Sequence, residues 1–378
     1  MRQIRYIHER PEWPALRWDD AALLLRLVSV RHKQGRLLGR MSGLGLAFRT
    51  QANVAILTSD VVKSSAIEGE VLSPDEVRSS IALKLGLDNA GLPPPGRHVE
   101  GIVELMLDAT QGHEEPLSET RLFRWHDLLF PEGRSNLTRI TTGAWRGGAM
   151  HVISGPIGRE RVHFQAPAAA RVPEEMTRFL GWFNGGPLPG DGAFKPIDPV
   201  LRASLAHFWF VTVHPFDDGN GRIARAIADM SLARADGTRD RFYSMSAQIE
   251  QERPDYYAEL ERAQRGGPDI TGWHAWFLGC LERAIDGAEH ALEAVLRKER
   301  IWRSIHNMPV NERQRVVLNR LMGEFVGHMT TSKYAKIAKC STDTALRDIR
   351  ELLEWKVLAP NPGGGRSTSY RLADPDAP

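Results

Sequence analysis

The chain has 378 residues, which is enough for two or three domains with a sizeable buried core. Its content of 42% hydrophobic and 25% charged residues is ordinary for a soluble globular protein, and a net charge of +2 gives no general attraction to nucleic acid or membranes. Two distant cysteines, Cys280 and Cys340, argue against a disulfide framework and a structural zinc site. The N-terminus has no cleavage signal and no uncharged stretch reaches transmembrane length, so we expect a cytoplasmic protein without membrane association.

The first part of the chain is predicted to contain an irregular segment and two long helices. Residues 1–15 are polar and interrupted by proline, so we expect an irregular arm. A first helix begins near Asp19 or Asp20, because either side chain can cap the apolar pattern that follows. After a break at 43–45, a second helix with a long buried face is predicted for residues 46–65.

The second helix ends in the string Lys63 to Glu70. In one interpretation Gly69 is a left-handed cap and Glu68 is an ordinary surface acid. However, an acid near a helix C-terminus opposes the helix dipole, so Glu68 would need a cationic partner elsewhere in the fold. The residues alone leave both interpretations open.

Further helices are predicted along most of the remaining chain. His98, His113 and His126 are scattered over this region, and we interpret them as structural residues rather than as ligands. The helical pattern covers residues 74–85, 98–109, 118–129, 172–184, 223–232, 254–264 and 271–305, and a buried helix precedes residue 214.

A segment of different character interrupts the helices. Two β-branched runs, 150–153 and 162–164, flank a glycine- and proline-rich turn, and this pattern predicts a β-hairpin. A lone hairpin in a helical chain is marginally stable and needs packing support. Its open edge, which includes His151, Val152 and Ile153, can add a strand from a partner, although the pattern also fits a purely structural hairpin.

The string from His214 to Arg225 places a polar, glycine-rich turn between two buried helical segments. Gly219 and Gly221 let backbone amides approach a ligand at the start of the helical segment that follows the turn, and this arrangement favours a phosphate group. Arg222 and Arg225 lie three residues apart, so both can project from the same side of that helix and bind phosphate oxygens. These residues indicate a polyphosphate site.

Asp218 and His214 add acid–base and metal chemistry to this turn. Asp218 would repel a phosphate unless Mg²⁺ lay between them, since Mg²⁺ prefers one or two carboxylates together with phosphate oxygens. In the turn, His214 alone can accept a proton near neutral pH. The alternative is a structural loop in which Asp–Arg pairs cap the helix and the histidine is a satisfied core residue.

Residues 306–378 have a pattern of their own. Helices are predicted at 312–325, 332–339 and 342–355, and strands at 357–360 and 367–372, an order that resembles a winged helix-turn-helix. From Asn311 onward, 11 Lys and Arg stand against 8 Asp and Glu, a difference of +3, which is only mildly basic. Arg347, Arg350 and Arg366 are candidate phosphate contacts, and both DNA and a protein remain candidate partners.

The string His214 to Arg225 resembles the signature of Fic (Fido) proteins, His-x-Phe-x-Asp/Glu-Gly-Asn-Gly-Arg-x-x-Arg, at every fixed position. The resemblance implies transfer of a nucleotide monophosphate, usually AMP from ATP, to a hydroxyl group of a target protein. It implies that His214 is the base, that Phe216 anchors the loop and that Asp218 binds Mg²⁺. It also implies phosphate contacts from the remaining signature positions, which are Gly219, Asn220, Gly221, Arg222 and Arg225.

Two features of the resemblance refine this expectation. Glycine at position 221 is typical of the branch that transfers nucleotides, whereas the phosphorylating branch tends to have lysine there. Ser64, Glu68 and Gly69 resemble the inhibitory motif Ser/Thr-x-x-x-Glu-Gly/Asn of regulated Fic proteins. In that motif the glutamate pairs with the last signature arginine, here Arg225, and occupies the space of the terminal phosphate of ATP.

The resemblance also assigns residues outside the turn. Tyr257 and Gln264, which are seven residues apart and therefore on one helix face, fall where Fic proteins line the nucleobase pocket. The hairpin with His151, Val152 and Ile153 corresponds to the flap that holds a target segment beside the catalytic loop.

We therefore predict an all-α protein with a helical regulatory segment (1–97), a Fic core with a small β-hairpin flap (98–305) and a C-terminal winged helix (306–378). The predicted activity is autoinhibited adenylylation of a Ser, Thr or Tyr hydroxyl of a target protein, with Mg²⁺ and ATP. Two alternatives stay open: removal of AMP by the same site, and a DNA-binding regulator whose Fic core senses nucleotide. The sequence also leaves a homodimer open.

Overall fold

The computed structural model describes residues 5–373 except 90, 136–137, 156–158, 160, 191–195, 323–324, 326 and 362–367. The chain forms two compact units, Met1–Ala288 and Glu289–Pro378, and is mostly helical with a few short strands. The all-α class with a small hairpin is therefore confirmed, while the segment boundaries at 97/98 and 305/306 stay predictions. None of the helices described has both the length and the apolar character needed to cross a membrane.

Helices of the first unit begin close to their predicted starts, and side-chain caps fix two of these starts. Asp19 Oδ1 accepts from the amides of Ala21 and Ala22, and Asp198 Oδ1 accepts from Val200 N at 2.8 Å. A short helix at 245–251 was not predicted. The helices are α1 (Asp20–Ser42), α2 (Leu46–Ile67), α3 (Pro74–Lys84), α4 (Arg97–Gln111), α5 (Glu119–Leu129), α6 (Val172–Phe183), α7 (Pro199–Val213), α8 (Asn220–Asp236), α9 (Met245–Gln251), α10 (Arg253–Arg265) and α11 (Thr271–Ser304).

The pair α7 and α8 forms the centre of the first unit. Every residue of α7 from 203 to 213 is buried, as is α8 from 222 to 233. A helix that is apolar on all sides is stable only inside a core, and aromatic neighbours such as Trp182, 5.4 Å from Trp209 between ring centroids, fill the space around α7. Because both helices are buried along their length, the turn at 214–219 between them is held in one place.

The N-terminal segment differs from the irregular arm that was predicted. Residues 7–9 form a single 3-10 turn, and Tyr6 is buried against the core. The indole of Trp13 donates to Glu175 Oε2 of α6 at 2.9 Å, and its ring lies edge-on to Trp209 of α7. Aromatic side chains bury a large apolar area each, so a few of them are enough to pack an otherwise polar segment.

Two short antiparallel hairpins accompany the helices. The predicted one pairs His151 with Gln165 and has a register irregularity after Val152. Phe164 packs in a small cluster with Tyr6, and this contact supplies the support that a lone hairpin needs. The other hairpin was not predicted. The strands are β1 (Arg134–Ser135) paired with β2 (Thr138–Arg139), and β3 (His151–Ser154) paired with β4 (Arg161–Gln165).

A buried network of charged residues joins α2 to α8. Arg241 is fully buried and donates to Asp229 at 3.2 Å and to Asp236 at 2.9 Å. Asp60 of α2 lies near Asp229 and accepts from the Ser244 hydroxyl, and one oxygen of each of these two carboxylates has no hydrogen-bond partner among the described residues. Burial and the charge of Asp229 raise the pKa of Asp60 to about 8. Asp60 is therefore protonated at neutral pH.

This network predicts a specific pH dependence of stability. The pKa of Asp60 is about 8 in the folded protein and roughly 4 in the unfolded chain, so folding binds a proton between these values. Its contribution to stability is full below the unfolded pKa and is lost as the pH rises through the folded one. Asp60→Asn remains neutral, so its melting temperature should fall less than that of the wild type between roughly pH 4 and pH 8. Asp75→Asn at an exposed position is the matched control, and parallel curves for wild type and Asp60→Asn would contradict the prediction.

The second unit combines helices with a small antiparallel sheet. The elements are α12 (Glu312–Met322), β5 (Met329–Thr330), α13 (Thr331–Ala338), α14 (Thr342–Glu354), β6 (Leu358–Pro360) and β7 (Ser369–Leu372). The sheet order is β5-β7-β6. The helices and the last two strands lie near the predicted positions, whereas β5 was not predicted. Arg347 and Arg350 are exposed on α14, and Arg366 lies outside the described residues.

Candidate active site

The turn between α7 and α8 is closed by two residues in the left-handed region. His214 has a φ of 52° and caps α7 by donating its N–H to Phe210 O at 3.0 Å. A positive φ is uncommon outside glycine and costs about 1–3 kcal/mol, so neighbouring contacts must hold His214 in this conformation. Gly219 has a φ of 79°, and a Cβ there would lie 2.9 Å from the Phe130 ring, so glycine is required on both grounds.

The hydrogen bond of the His214 ring fixes its tautomer. Nδ1 lies 3.1 Å from Val211 O, and because a carbonyl oxygen only accepts, Nδ1 carries the proton. Nε2 is then the acceptor nitrogen of the neutral imidazole. Burial lowers the pKa of His214, and the positive charge of Arg146 acts in the same direction. The side chain is therefore neutral near pH 7 and able to take a proton at Nε2.

Arg146 ties this turn to the β3–β4 hairpin. It is buried, its Nε donates to His214 O at 2.7 Å, and its backbone N–H donates to Pro215 O at 2.9 Å. Its terminal nitrogens donate to Gly148 O at 2.8 Å and to Pro167 O at 2.6 Å, on either side of the hairpin. Arg146 thus fixes the unusual backbone at His214 relative to both ends of the hairpin.

Phe216 anchors the turn in the core. It is fully buried, and the His126 ring stacks on it with centroids 4.2 Å apart while Trp145 lies at 5.2 Å. His126 Nε2 also donates to Asp218 O at 3.2 Å, and burial lowers the pKa of His126 to about 4. His126 is therefore a neutral, structural residue of the site.

The Asn220 side chain stabilises the turn by hydrogen bonds to the turn's own backbone. Its Oδ1 accepts from Phe216 N at 2.9 Å and its Nδ2 donates to Phe216 O at 2.8 Å. Asn220 was assigned to phosphate binding by resemblance, but both polar groups of its side chain are engaged. At this position, a phosphate would contact the backbone amide at the start of α8, where helix N–H groups lack intrahelical partners.

Asp218 and Arg222 lie beside the start of α8. Asp218 is half-buried, with Oδ1 accepting from Gly219 N at 2.6 Å and Oδ2 accepting from the Ser135 hydroxyl. The Arg222 guanidinium lies over the Phe130 ring, 5.0 Å from its centroid. Carboxylate and guanidinium are thus held next to the helix N-terminus, as expected from the spacing.

The structure brings Ser64 and Glu68 of the α2 end onto Arg225 of α8. Glu68 Oε1 accepts from Arg225 Nη2 at 2.8 Å, and Arg225 also donates to Ser64 Oγ at 2.9 Å and to Ser64 O at 2.8 Å. The Arg225 side chain is 2% exposed. In the described part of the chain its Nη1 has no hydrogen-bond partner, although it is buried. A ligand with an acceptor oxygen would satisfy this donor.

Gly69 and Gly221 leave room for Glu68 to contact Arg225. Gly69 follows Glu68 with a φ of 86° and lets the chain leave α2 sharply. A Cβ on Gly221 would overlap Glu68 Oε1, lie 3.0 Å from Glu68 Cδ and lie 3.3 Å from Arg225 Nη1. Glu68 therefore occupies space directly over the first turn of α8, which a side chain at 221 would exclude.

The two residues assigned to the nucleobase pocket lie in different surroundings. Tyr257 is 37% exposed, and its hydroxyl donates to Ile67 O at 3.4 Å, next to Glu68. Gln264 is buried and donates to Thr212 Oγ1 of α7 at 3.3 Å. Tyr257 thus borders the segment Ser64–Gly69, whereas Gln264 is engaged inside the helical core.

The hairpin presents one open edge. Among the described residues, β3 pairs with β4 alone, so its other edge has unpaired backbone groups. His151 is exposed, Val152 is half-buried, and Ile153 is 55% exposed. An exposed strand edge of this kind can pair with an extended peptide.

A pocket of about 700 Å³ opens beside the turn, and it contains residues that were not predicted to belong to the site. Glu70 and His98 line it together with Glu68, Asp218 and Arg222. His98 was interpreted as structural, and Glu70 and Arg146 were not assigned a role. In the sequence, these three residues differ from other polar residues only in lying near the recognised motifs. Each of them reaches the site through contacts between distant segments, which local patterns do not predict.

Parts of the chain are similar in sequence to known protein families. Residues 116–232 match the family model described as Fic/DOC family, and residues 6–87 match one described as Domain of unknown function (DUF4172). The protein adenylyltransferase fic-1 of Caenorhabditis elegans is 29% identical over 210 residues, which cover 54% of this chain and 36% of that protein. Its counterpart in Caenorhabditis briggsae is 33% identical over the same number of residues, with the same coverage.

The match to these relatives is partial, since the chain spans little more than a third of their length. A crystal structure of a Fic domain containing signaling protein from Bacteroides thetaiotaomicron has a TM-score of 0.50 at 19% identity, covering 69% of this chain and 95% of that one. This likeness shows a shared fold. Residues 116–232, which include the turn at 214–219, are thus similar in sequence to the Fic/DOC family.

Proposed function

We propose that the protein transfers AMP from ATP to a hydroxyl group of a target protein. The observation that carries this proposal is the single turn that joins a neutral histidine with an unprotonated Nε2, a carboxylate and the N-terminus of a helix bearing two arginines. The adenylyltransferase names of the relatives give the same coarse activity. Substrate, acceptor residue and regulation are inferred from the site.

In the proposed reaction, His214 Nε2 accepts the proton of the target hydroxyl, whose oxygen attacks the α-phosphorus of ATP. The bond from this phosphorus to the bridging oxygen breaks, and pyrophosphate leaves. The amides at the start of α8 and the guanidinium groups of Arg222 and Arg225 would stabilise the negative charge on the phosphates. Arg225 Nη1, which is buried without a partner among the described residues, supports an oxygen ligand at this place.

Asp218 fits a Mg²⁺ site that is completed by the nucleotide. Among the described residues no group of three or more His, Cys, Asp or Glu side chains could hold a metal, so a cage made by protein alone is not supported. A single carboxylate suffices for Mg²⁺ when phosphate oxygens provide further ligands. Bound there, Mg²⁺ would neutralise charge on the phosphates. Asp218 would hold it, with Ser135 and Gly219 N orienting the carboxylate.

We further propose autoinhibition and target docking by elements of this chain. Glu68 would compete with the terminal phosphate of ATP for Arg225, because both are anions that bind the same guanidinium. The open edge of β3 would hold an extended target segment, and Arg146 would keep that edge at a fixed place relative to His214. The second unit, with α12–α14 and its sheet, is proposed to be a winged helix that recruits a partner.

The proposed activity is tested with ATP that is labelled at one of two different phosphates. Purified Glu68→Gly protein and cell lysate receive ATP labelled either at the α- or at the γ-phosphate, and protein-bound label is measured. Transfer of AMP leaves the α-label on protein and releases the γ-label as pyrophosphate. Retention of the γ-label alone would indicate phosphorylation, and the absence of both labels would contradict the proposal.

A further inference from the structure

A second carboxylate, two residues after Glu68, contacts the other signature arginine. Glu70 Oε2 accepts from Arg222 Nη1 at 2.9 Å, while Glu70 Oε1 accepts from His98 Nε2 at the start of α4. Glu70 is not part of the Ser64–Gly69 motif. Both of its oxygens are therefore engaged by residues far away in the sequence.

The surroundings make this contact stronger than an ordinary surface ion pair. The Arg222 side chain is 9% exposed and that of Glu70 is 30% exposed. Arg222 stacks over Phe130, and its Nε is buried without a partner among the residues described. A partly desolvated, charge-assisted hydrogen bond is stronger than one in water, because water no longer competes for the donors.

Glu70 also carries its charge at neutral pH. Burial raises the pKa of Glu70, but the hydrogen bond and charge of His98, together with the charge of Arg222, outweigh burial and bring the pKa below its usual value. The same pocket contains Glu68 and Asp218. Glu132 lines this pocket as well, so without a cation an entering polyphosphate would meet four carboxylates there.

We infer that Glu70 is a second inhibitory carboxylate, which occupies Arg222 while Glu68 occupies Arg225. The inference rests on the proposed function, in which both arginines bind phosphates of ATP. Nucleotide must then displace two carboxylates, and removal of Glu68 alone leaves Arg222 paired with Glu70. His98 acts as a positioning residue that holds Glu70 on Arg222.

The opposite role for Glu70 makes an opposite prediction. If Glu70 oriented Arg222 for phosphate binding, its removal would leave the guanidinium misplaced and would weaken ATP binding. If Glu70 competes with phosphate, its removal frees Arg222 and strengthens ATP binding. The sign of the change in affinity therefore separates the two roles.

Isothermal titration calorimetry with Mg²⁺-ATP measures this sign on the full chain. The variants are Glu70→Gln, Glu68→Gly and the double variant, and Glu104→Gln is the matched control, because Glu104 pairs with Lys84 and Arg124 outside the pocket. Glu70→Gln should bind ATP about tenfold more tightly, both in the wild-type and in the Glu68→Gly background, as expected for loss of one charge-assisted competitor. His98→Ala should change affinity in the same direction by a smaller factor.

The outcomes distinguish the inference from the proposed function. Unchanged or weaker binding by Glu70→Gln and His98→Ala, with tight binding by Glu68→Gly, would overturn the inference and leave the function standing. No binding by any folded variant, the double variant included, would overturn both. Circular dichroism melting of each variant identifies loss of folding, and His98→Ala leaves Glu70 itself in place as the independent check.

Discussion

Replacing His214 by alanine in the Glu68→Gly background is expected to lower transfer of the α-label to protein by about 10²–10⁴-fold, the usual effect of losing a general base. The ring is held with Nδ1 protonated and Nε2 unprotonated, and Arg146 stabilises the backbone conformation of His214. ATP binding should persist, because the phosphates would contact the start of α8, Arg222 and Arg225 instead. Initial rates with α-labelled ATP and calorimetric ATP affinity are the two measurements.

The matched control for this experiment is His306→Ala, an exposed histidine of the second unit. Its rate should equal that of the parent. A rate for His214→Ala within tenfold of the parent would remove the histidine from the proton transfer, whereas lost ATP binding would indicate a damaged turn.

Replacing Glu68 by glycine is expected to raise label transfer by about 10- to 100-fold, which corresponds to the roughly 1.5–3 kcal/mol of a hydrogen bond to a charged group. Glu68 contacts a buried arginine at 2.8 Å and overlies the first turn of α8, so its removal frees both a guanidinium and space. Glycine at position 68 is compatible with the backbone, because this position is the C-cap of α2 and is followed by Gly69 in the left-handed conformation. Initial rates are measured at Mg²⁺-ATP concentrations well below saturation, where a competitor of ATP lowers the rate.

Arg225 completes a double-mutant cycle with Glu68. Arg225→Ala should be inactive with or without Glu68, since the arginine itself orients the phosphates, and the two changes should therefore be non-additive. Arg225→Lys should recover little activity, because a planar fork has been replaced by a point charge. Glu114→Gly, at an exposed acid in the turn after α4 that does not line the pocket beside the turn at 214–219, is the control. Equal rates for wild type and Glu68→Gly would eliminate the inhibitory role.

Local sequence information was sufficient for the central turn. The fixed spacing from His214 to Arg225 lies within one helix–turn–helix segment, so its residues are necessarily neighbours in space. Apolar periodicity and cap residues likewise located most helices, because both signals act within a few residues. The all-α class with a small hairpin followed from these local patterns.

Contacts between distant segments were beyond such patterns. Glu70 lies 152 residues before Arg222, and Arg146 lies 68 residues before His214. A lone acid or arginine has many candidate partners at such separations, and only the packing of α2, α4 and the hairpin around α8 selects one. Asn220 is a different case. The sequence identified its position in the turn, but not that its side chain would form hydrogen bonds with both the backbone N–H and the backbone C=O of Phe216.

The contact between Gly221 and Glu68 has a genetic consequence. A side chain at 221 would displace the Glu68 carboxylate, yet it would also fill the place over the first turn of α8 where phosphate should bind. Loss of the restraint exerted by Glu68 can therefore arise at either of these two positions, but of the two only a change at Glu68 leaves the turn at 214–219 and the start of α8 intact. A selection for hyperactive variants should return substitutions at 68 and none at 221.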